Sequence, residues 1–149
     1  MSLPVTIRTA QVQDASTVAR LVSILGDDLR DPSAITTGYA GEVLRTNRCH
    51  VLLAERDGRI LGMVSYHFQP SLYHAADSCL IDELVIEPAA RGQGAGGMLL
   101  EEALRLARDR GCAEVGLSVM TTNEGARRFY AAHGFEADAV YMERHFGAE

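Results

Sequence analysis

The run of residues 91–97, Arg-Gly-Gln-Gly-Ala-Gly-Gly, constrains this chain more than any other feature. It follows an apolar segment that stops at Pro88 and opens an amphipathic segment that stops at Gly111. Because glycine adopts left-handed backbone conformations without steric cost, such a run predicts a tight turn from a strand into a helix. A helix start presents unpaired N–H groups and about half a positive charge, so the run also predicts a phosphate-binding turn.

The identity of a phosphate ligand is narrowed by what surrounds the glycines. Gly92, Gly94 and Gly97 satisfy the G-x-G-x-x-G spacing of dinucleotide-binding folds, although glycines alone are also compatible with a turn that binds nothing. A dinucleotide fold has this motif directly after its first strand and an acidic residue at the end of the next strand. Here residues 88–90 intervene and the next strand ends at Met120 without an acid, which excludes that fold. The absence of a following Lys-Ser/Thr pair excludes a P-loop.

The hydrophobic pattern predicts a mixed α/β domain with the element order βααβββαβαβ. Predicted helices cover residues 14–26 and 31–45, the segment from the glycine run to Gly111, and a last segment that ends at Gly134. Predicted strands cover residues 5–8, 51–54, 60–68, 78–87, 115–119 and 140–145, with a polar loop at 69–77. Asp57-Gly58 between two apolar runs indicates a hairpin, and Thr121 and Glu124 have capping-box spacing for the last helix.

Length, charge and cysteine content limit the classes of function. A chain of 149 residues fits one domain, predicted here as 1–149, and its net charge of −6 disfavours a nucleic-acid partner. No apolar run is long enough to span a membrane and no signal peptide is visible, so we expect a cytoplasmic protein without membrane attachment. Cys49, Cys79 and Cys112 lack metal-binding spacing, and His50 beside Cys49 does not complete a site. We expect reduced thiols and no metal.

Two motifs identify a family resemblance. An apolar strand followed by Q/R-x-x-G-x-G/A is matched through Arg91, Gly94 and Gly96. A later motif, N-x-x-A-x-x-F/L-Y followed by G-F, is matched by Asn123, Ala126, Phe129, Tyr130, Gly134 and Phe135. In this order and spacing the chain resembles the GNAT superfamily of N-acetyltransferases, which transfer an acyl group from acyl-coenzyme A to an amine. The resemblance covers almost the whole chain and implies a mostly antiparallel mixed sheet, flanked by helices, with a splayed pair of parallel strands.

The resemblance also implies acetyl-CoA as co-substrate. Its pyrophosphate would lie over the N–H groups of Gly92, Gln93, Gly94, Ala95 and Gly96, next to Arg91, and Asn123 would belong to the coenzyme site. The pantetheine arm would pair with the backbone of Leu84, Val85 and Ile86 in the splay, which the small residues Gly116 and Ser118 permit. A backbone N–H near Val85 or Ile86 would stabilise the oxyanion.

Acyl transfer also needs a neutral amine and a proton for the departing thiolate. The resemblance implies Tyr130 as the general acid, and a phenol with a pKa of about 10 can protonate a thiolate whose thiol has a pKa of about 8.5. Glu83 and Asp82 precede the coenzyme contacts, where family members often hold a carboxylate base. Strand alternation predicts that they lie on opposite faces, so only one can face the cleft. Glu83 is preferred; Asp82, a water molecule or a loop residue are the alternatives.

The acceptor is not identified by any motif. His67, Tyr66, Tyr73 and His74 lie on or beside the third strand, which commonly borders the acceptor site in this family. The acidic balance favours a cationic amine, carried by a small molecule or a protein, and a homodimer is the default assembly. Two other functions stay open: a coenzyme A binding or sensing module without turnover, and a nucleotide-binding regulatory domain.

Overall fold

The computed structural model describes residues 3–147, which fall into two units divided after Leu117. The first unit contains β1 (Thr6–Thr9), α1 (Ala15–Asp28), α2 (Thr37–Thr46), β2 (His50–Arg56), β3 (Arg59–Ser71), β4 (Ala76–Ile86), α3 (Ala95–Arg110) and β5 (Val115–Leu117). The second unit contains α4 (Glu124–Ala132). Single 3-10 turns at Val12–Asp14 and Pro88–Ala90 lead into α1 and into the glycine-rich turn.

The strands form one mixed sheet in the order β1-β2-β3-β4-β5. The first four strands are antiparallel neighbours, and β5 pairs with β4 in parallel. The β2–β3 hairpin turns at Asp57 and Gly58, both with left-handed backbone (φ 50° and 74°), as the Asp-Gly pair predicts. The predicted α/β class, with a mostly antiparallel sheet and one parallel pair, is confirmed.

Helices cover both faces of the sheet in the first unit. On one face α1 and α2 pack against β2, β3 and β4, with Leu21, Leu53 and Met63 almost fully buried. Helix α3 packs on the strands from the other side, where its apolar stripe is completely buried. That stripe consists of Leu99, Leu100, Ala103 and Ala107. The sheet is therefore apolar on both faces, and polar side chains inside it need a specific partner.

Two predicted boundaries are wrong for local reasons. Helix α2 begins at Thr37, not at residue 31, because the Thr36 hydroxyl caps it by accepting from the Tyr39 N–H at 3.0 Å. The predicted loop at 69–77 is mostly strand, since Gln69 and Pro70 still pair with Ser78 and Asp77. Proline lacks an N–H but is tolerated near a strand end, so it did not terminate β3.

The second unit also departs from the predictions. Helix α4 is capped by the Asn123 side chain, which accepts from the Ala126 N–H at 3.1 Å, and not by Thr121. The predicted strand at 140–145 is wrong: in the described tail these residues form neither strand nor helix, and Val140, Tyr141 and Met142 are exposed. Alternating side chains favour extended backbone, but a strand also needs a hydrogen-bonded neighbour.

Gly62 offers a test of how closely β3 and β4 approach. A Cβ atom there would lie 2.5 Å from Ile86 Cδ1 and 2.6 Å from the Val85 carbonyl oxygen. We expect Gly62→Ala to lower the free energy of unfolding by about 1–3 kcal/mol, measured by urea denaturation. Gly38→Ala in α2 is the control, because its nearest contact would be Thr36 Oγ1 at 3.9 Å. It should be neutral or stabilising by up to about 1 kcal/mol. Equal losses in both variants would contradict this packing.

Candidate active site

A β-bulge in β4 organises the site. Ser65 pairs with Glu83 while Tyr66 pairs with Ile81, so Asp82 is an extra residue in β4. The parallel pairing with β5 ends at Ile81 and Leu117, although β4 continues to Ile86. Within the first unit, the edge of β4 beyond the bulge therefore has no strand partner. A bulge bends its strand and increases its twist, and this one lies directly after the last residue of β4 that pairs with β5.

The register also decides which backbone groups face this open edge. The Glu87 N–H donates to the Leu61 carbonyl at 2.7 Å, so the backbone of Glu87 faces β3. Since strand backbone groups alternate in direction, Val85 also faces β3, whereas Leu84 and Ile86 face the open edge. Of the two predicted oxyanion donors, only the Ile86 N–H thus points away from β3.

Glu83 is held by a buried serine. The Ser65 hydroxyl donates to Glu83 Oε1 at 2.6 Å and accepts from the Glu83 backbone N–H at 3.0 Å. Burial raises the pKa of the Glu83 carboxyl above its ordinary value, the Ser65 hydrogen bond opposes that rise, and the charge of Asp82 adds to it. A raised carboxyl pKa is typical of a general base that works near neutral pH.

Asp82 lies on the same face of the sheet as Glu83. Its Oδ2 is 2.7 Å from His67 Nδ1, and His67 is two residues from Ser65 on β3, which places both contacts on one face. The prediction that alternation separates the two carboxylates is therefore wrong, because the bulge interrupts the alternation at Asp82. Both carboxylates can face one cleft.

Cys49, just before β2, lies within the electrostatic influence of both carboxylates. Burial and the charges of Glu83 and Asp82 raise the pKa of the Cys49 thiol to about 11. The thiol is therefore protonated at neutral pH and is not a nucleophile. No motif in the sequence points to Ser65 or to Cys49 as a site residue. Only the position of the bulge identifies them as neighbours of Glu83, and an apolar pattern does not reveal that position.

The glycine-rich turn has the predicted conformation. Gly92 and Gly94 have left-handed backbone, with φ of 79° and 88°, and a Cβ at either position would touch nothing within 4 Å. Glycine is needed there for conformation and not for space. Gly94 is the N-cap of α3, whose first intrahelical hydrogen bond runs from the Met98 N–H to the Gly94 carbonyl at 3.1 Å. The N–H groups of residues 95–97 thus have no acceptor within the helix.

Polar side chains anchor this turn to its surroundings. Arg91 Nη2 contacts Asp28 Oδ2 of α1 at 2.5 Å, and Arg91 Nε donates to the Ile86 carbonyl at 3.1 Å. A guanidinium has five N–H donors, so these two bonds leave donors for an anion. The Gln93 Oε1 accepts from Arg56 Nη1 at 2.6 Å, which directs this side chain toward the protein. Gln93 therefore offers its backbone N–H, more than its amide, to a ligand.

The second unit carries the two remaining predicted site residues. Asn123 is the cap of α4, as described above, which gives its side chain a structural role. Tyr130 is partly buried between Phe129 and Phe135, at ring-centroid distances of 5.3 and 5.8 Å. Burial raises the pKa of the Tyr130 phenol. The phenol is therefore protonated at neutral pH, and within residues 118–147 no side chain hydrogen-bonds its hydroxyl.

The remaining residues that were predicted to border the acceptor site lie in different parts of the first unit. Tyr66 is buried on the face covered by α3 and stacks on His50 at 5.3 Å, so both rings are packing residues away from Glu83. Tyr73 and His74 lie in the short β3–β4 loop, where Tyr73 is 93% exposed.

Among residues 3–147, no group of three potential metal-binding side chains is found. None of the helices in that range has the length and apolar character of a membrane span.

Comparison with known proteins identifies the family of this chain. The acetyltransferase (GNAT) family model matches residues 18–135. The chain is 36% identical over 130 residues to the aminoalkylphosphonate N-acetyltransferase of Salmonella typhimurium, covering 87% of this chain and 84% of that protein. It is 28% identical over 146 residues to the thialysine N-epsilon-acetyltransferase of Bos taurus, covering 87% and 83%.

A solved structure shares the fold. The ribosomal-protein-alanine N-acetyltransferase from Brucella melitensis superposes with a TM-score of 0.83 at 22% identity, covering 97% of this chain and all of that chain. At this identity the likeness concerns the fold alone. The family match over residues 18–135 and the N-acetyltransferase relatives show that this chain belongs to the GNAT family and is an acetyltransferase.

Proposed function

We propose that this protein transfers an acetyl group from acetyl-CoA to a primary amine, by direct attack of the amine in a ternary complex. The observation that carries the proposal is the bulge in β4. The bulge leaves Glu83 opposite Ser65, on the same face as Asp82, and Ile86, whose N–H faces the open edge, follows three residues later. The same strand then leads through one 3-10 turn into the glycine-rich turn. A base, an oxyanion donor and an anion site thus follow one another along a single segment.

Coenzyme binding relies on local charge in this proposal. The chain has a net charge of −6, so its overall field repels an anion. The backbone N–H groups of residues 92–96, the N-terminus of α3 and the guanidinium of Arg91 would hold the pyrophosphate. Leu84 and Ile86 would pair with the pantetheine arm, because their backbone groups face the open edge.

The chemical step needs a base because the amine arrives protonated. An alkyl ammonium with a pKa near 10.4 is about 3.4 units from neutral at pH 7, so deprotonation costs roughly 4.6 kcal/mol. Glu83 accepts this proton as the nitrogen attacks the thioester carbon. The carbon–sulfur bond then breaks, and Tyr130 donates its proton to the departing thiolate. The support for Tyr130 is its matched motif and its protonated, partly buried phenol.

The acceptor is an amine-bearing molecule. Asp82 and Glu83 on one face favour a cationic amine, and the relatives named above act on an aminoalkylphosphonate and on thialysine. We further propose that residues 1–149 form one GNAT domain, which the family match from 18 to 135 across both units supports. A homodimer and a cytoplasmic location stay predictions.

Release of free thiol from acetyl-CoA tests the proposed activity. An amine panel should include an aminoalkylphosphonate, lysine, thialysine, a diamine and a peptide with a free N-terminus. We expect at least one amine to give turnover, with a matching acetylated product by mass spectrometry. Tight coenzyme A binding without thiol release across the panel would instead support a sensing module. Binding of an adenine or nicotinamide nucleotide that coenzyme A does not displace would support a regulatory domain.

The glycine-rich turn is tested by two matched substitutions. Gly94 and Gly111 both have left-handed backbone, with φ of 88° and 89°, at opposite ends of α3, and neither has a neighbour within 4 Å of a Cβ. Alanine should therefore strain both sites equally, by about 1–2 kcal/mol. We expect Gly94→Ala to raise the KM for acetyl-CoA about tenfold, as the strain displaces the amides. Gly111→Ala should lower the Tm similarly and leave this KM unchanged; equal KM values in both variants would exclude the turn as the anion site.

The acid and base assignments predict opposite limbs of the pH profile. A base with a raised pKa loses activity as falling pH protonates it, so the acidic limb of kcat/KM should lie above the ordinary carboxyl range. Glu83→Gln should lower kcat/KM by about 10²- to 10⁴-fold and remove this limb. Tyr130→Phe should lower kcat and remove the alkaline limb, which reflects loss of the phenol proton. Unchanged turnover in either variant would refute that residue's role.

A further inference from the structure

We propose that Ser65 is a positioning residue for Glu83: its hydroxyl fixes the carboxylate that takes the amine proton and sets the pH range in which that carboxylate is ionised. The inference rests on the proposed role of Glu83 as base. No motif pointed to Ser65, which lies in the middle of an apolar strand and is only 2% exposed.

Both hydrogen bonds of the Ser65 hydroxyl go to one residue. It accepts from the backbone N–H of Glu83 at 3.0 Å and donates to the carboxylate of the same residue at 2.6 Å. The second distance is typical of an O–H donor to an ionised oxygen. Because a hydroxyl has one proton, this proton is committed to Glu83. The carboxylate is thereby tied to a rigid strand.

The bulge explains why a serine is needed for the first of these bonds. Beside the extra residue Asp82 the ladder is interrupted, and the Glu83 N–H finds a side-chain oxygen. A buried N–H without an acceptor would be costly, so this bond stabilises the bulge. The bond to the carboxylate gives the buried hydroxyl proton its acceptor, and it has a further effect. It acts on the one group that the proposed reaction requires to change its protonation state.

The charges around Glu83 are few. Asp82 on β4 raises its pKa, and His67 on β3 lowers it. Cys49 before β2 is a neutral thiol. On α1, Arg20 pairs with Glu87 and Asp28 with Arg91, and on α2 Glu42 pairs with Arg45. Among the neutral groups around Glu83, the Ser65 hydroxyl is therefore the main one that favours the ionised carboxylate. Its removal should raise the pKa of Glu83 and move the acidic limb of the rate profile to higher pH.

Ser65→Thr and Ser65→Val form the matched test. The two side chains have nearly the same volume and branching, and only threonine keeps the hydroxyl. We expect the acidic limb of kcat/KM to stay in place in Ser65→Thr and to move up by about one pH unit in Ser65→Val. The KM for acetyl-CoA should be the same in both. If Ser65 served only the bulge, Ser65→Val would be less stable than Ser65→Thr, but the acidic limb of kcat/KM would lie at the same pH in both variants. That result would overturn the proposal.

A second measurement does not depend on turnover. The Glu83 carboxyl can be titrated by ¹³C NMR in the unaltered protein and in Ser65→Ala, whose smaller side chain cannot overpack if valine fails to fold. The proposal expects a higher pKa in Ser65→Ala, and an unchanged titration would refute it. A raised pKa with an unmoved rate profile would show that Glu83 is not the base. That result would refute both the positioning role of Ser65 and the assignment of Glu83 as base, while acetyl transfer itself is tested separately by thiol release.

Discussion

One extra residue in β4, Asp82, is the constraint on which the site depends. It lies where the pairing of β4 with β5 stops, and within residues 3–117 the strand edge beyond it has no strand partner. It also interrupts the alternation of side chains, so Asp82 and Glu83 lie on one face with His67 and Ser65. Without the bulge, β4 could continue its pairing with β5, and its carboxylates would lie on opposite faces.

The distribution of charge follows from the same strand. Its bulged part carries two carboxylates, whereas the turn that follows it presents unpaired N–H groups and Arg91. In the proposed reaction the first region attracts a cationic amine and the second binds an anionic coenzyme. The net charge of −6 therefore favours binding of the cationic amine. At the coenzyme site, the local N–H donors and Arg91 compensate for this charge. This division is possible because helix-end donors act only over the first turn.

Features fixed by local backbone chemistry could be predicted from the sequence, and features fixed by pairing could not. The left-handed glycines of the turn, the Asp57-Gly58 hairpin and the end of α3 at Gly111 follow from what single residues tolerate. The alternation of apolar and polar residues along a strand does not reveal the bulge, because an extra residue is defined only by comparison with the neighbouring strand. The separation of Asp82 from Glu83 was therefore predicted wrongly and Ser65 was missed. The predicted strand at 140–145 failed for the related reason that alternation does not supply a partner.

The Ser65–Glu83 contact shows why position and acid strength are set together. Burial alone would raise the pKa of Glu83, and a carboxyl cannot accept a proton from an amine while it is protonated. Full solvation would keep it ionised but would make it a weak base with a free side chain. A buried hydroxyl that donates to the carboxylate opposes the first effect and restricts the motion that accompanies the second. At the bulge, the half-buried Glu83 carboxylate thus has beside it the hydroxyl donor that favours its ionised form.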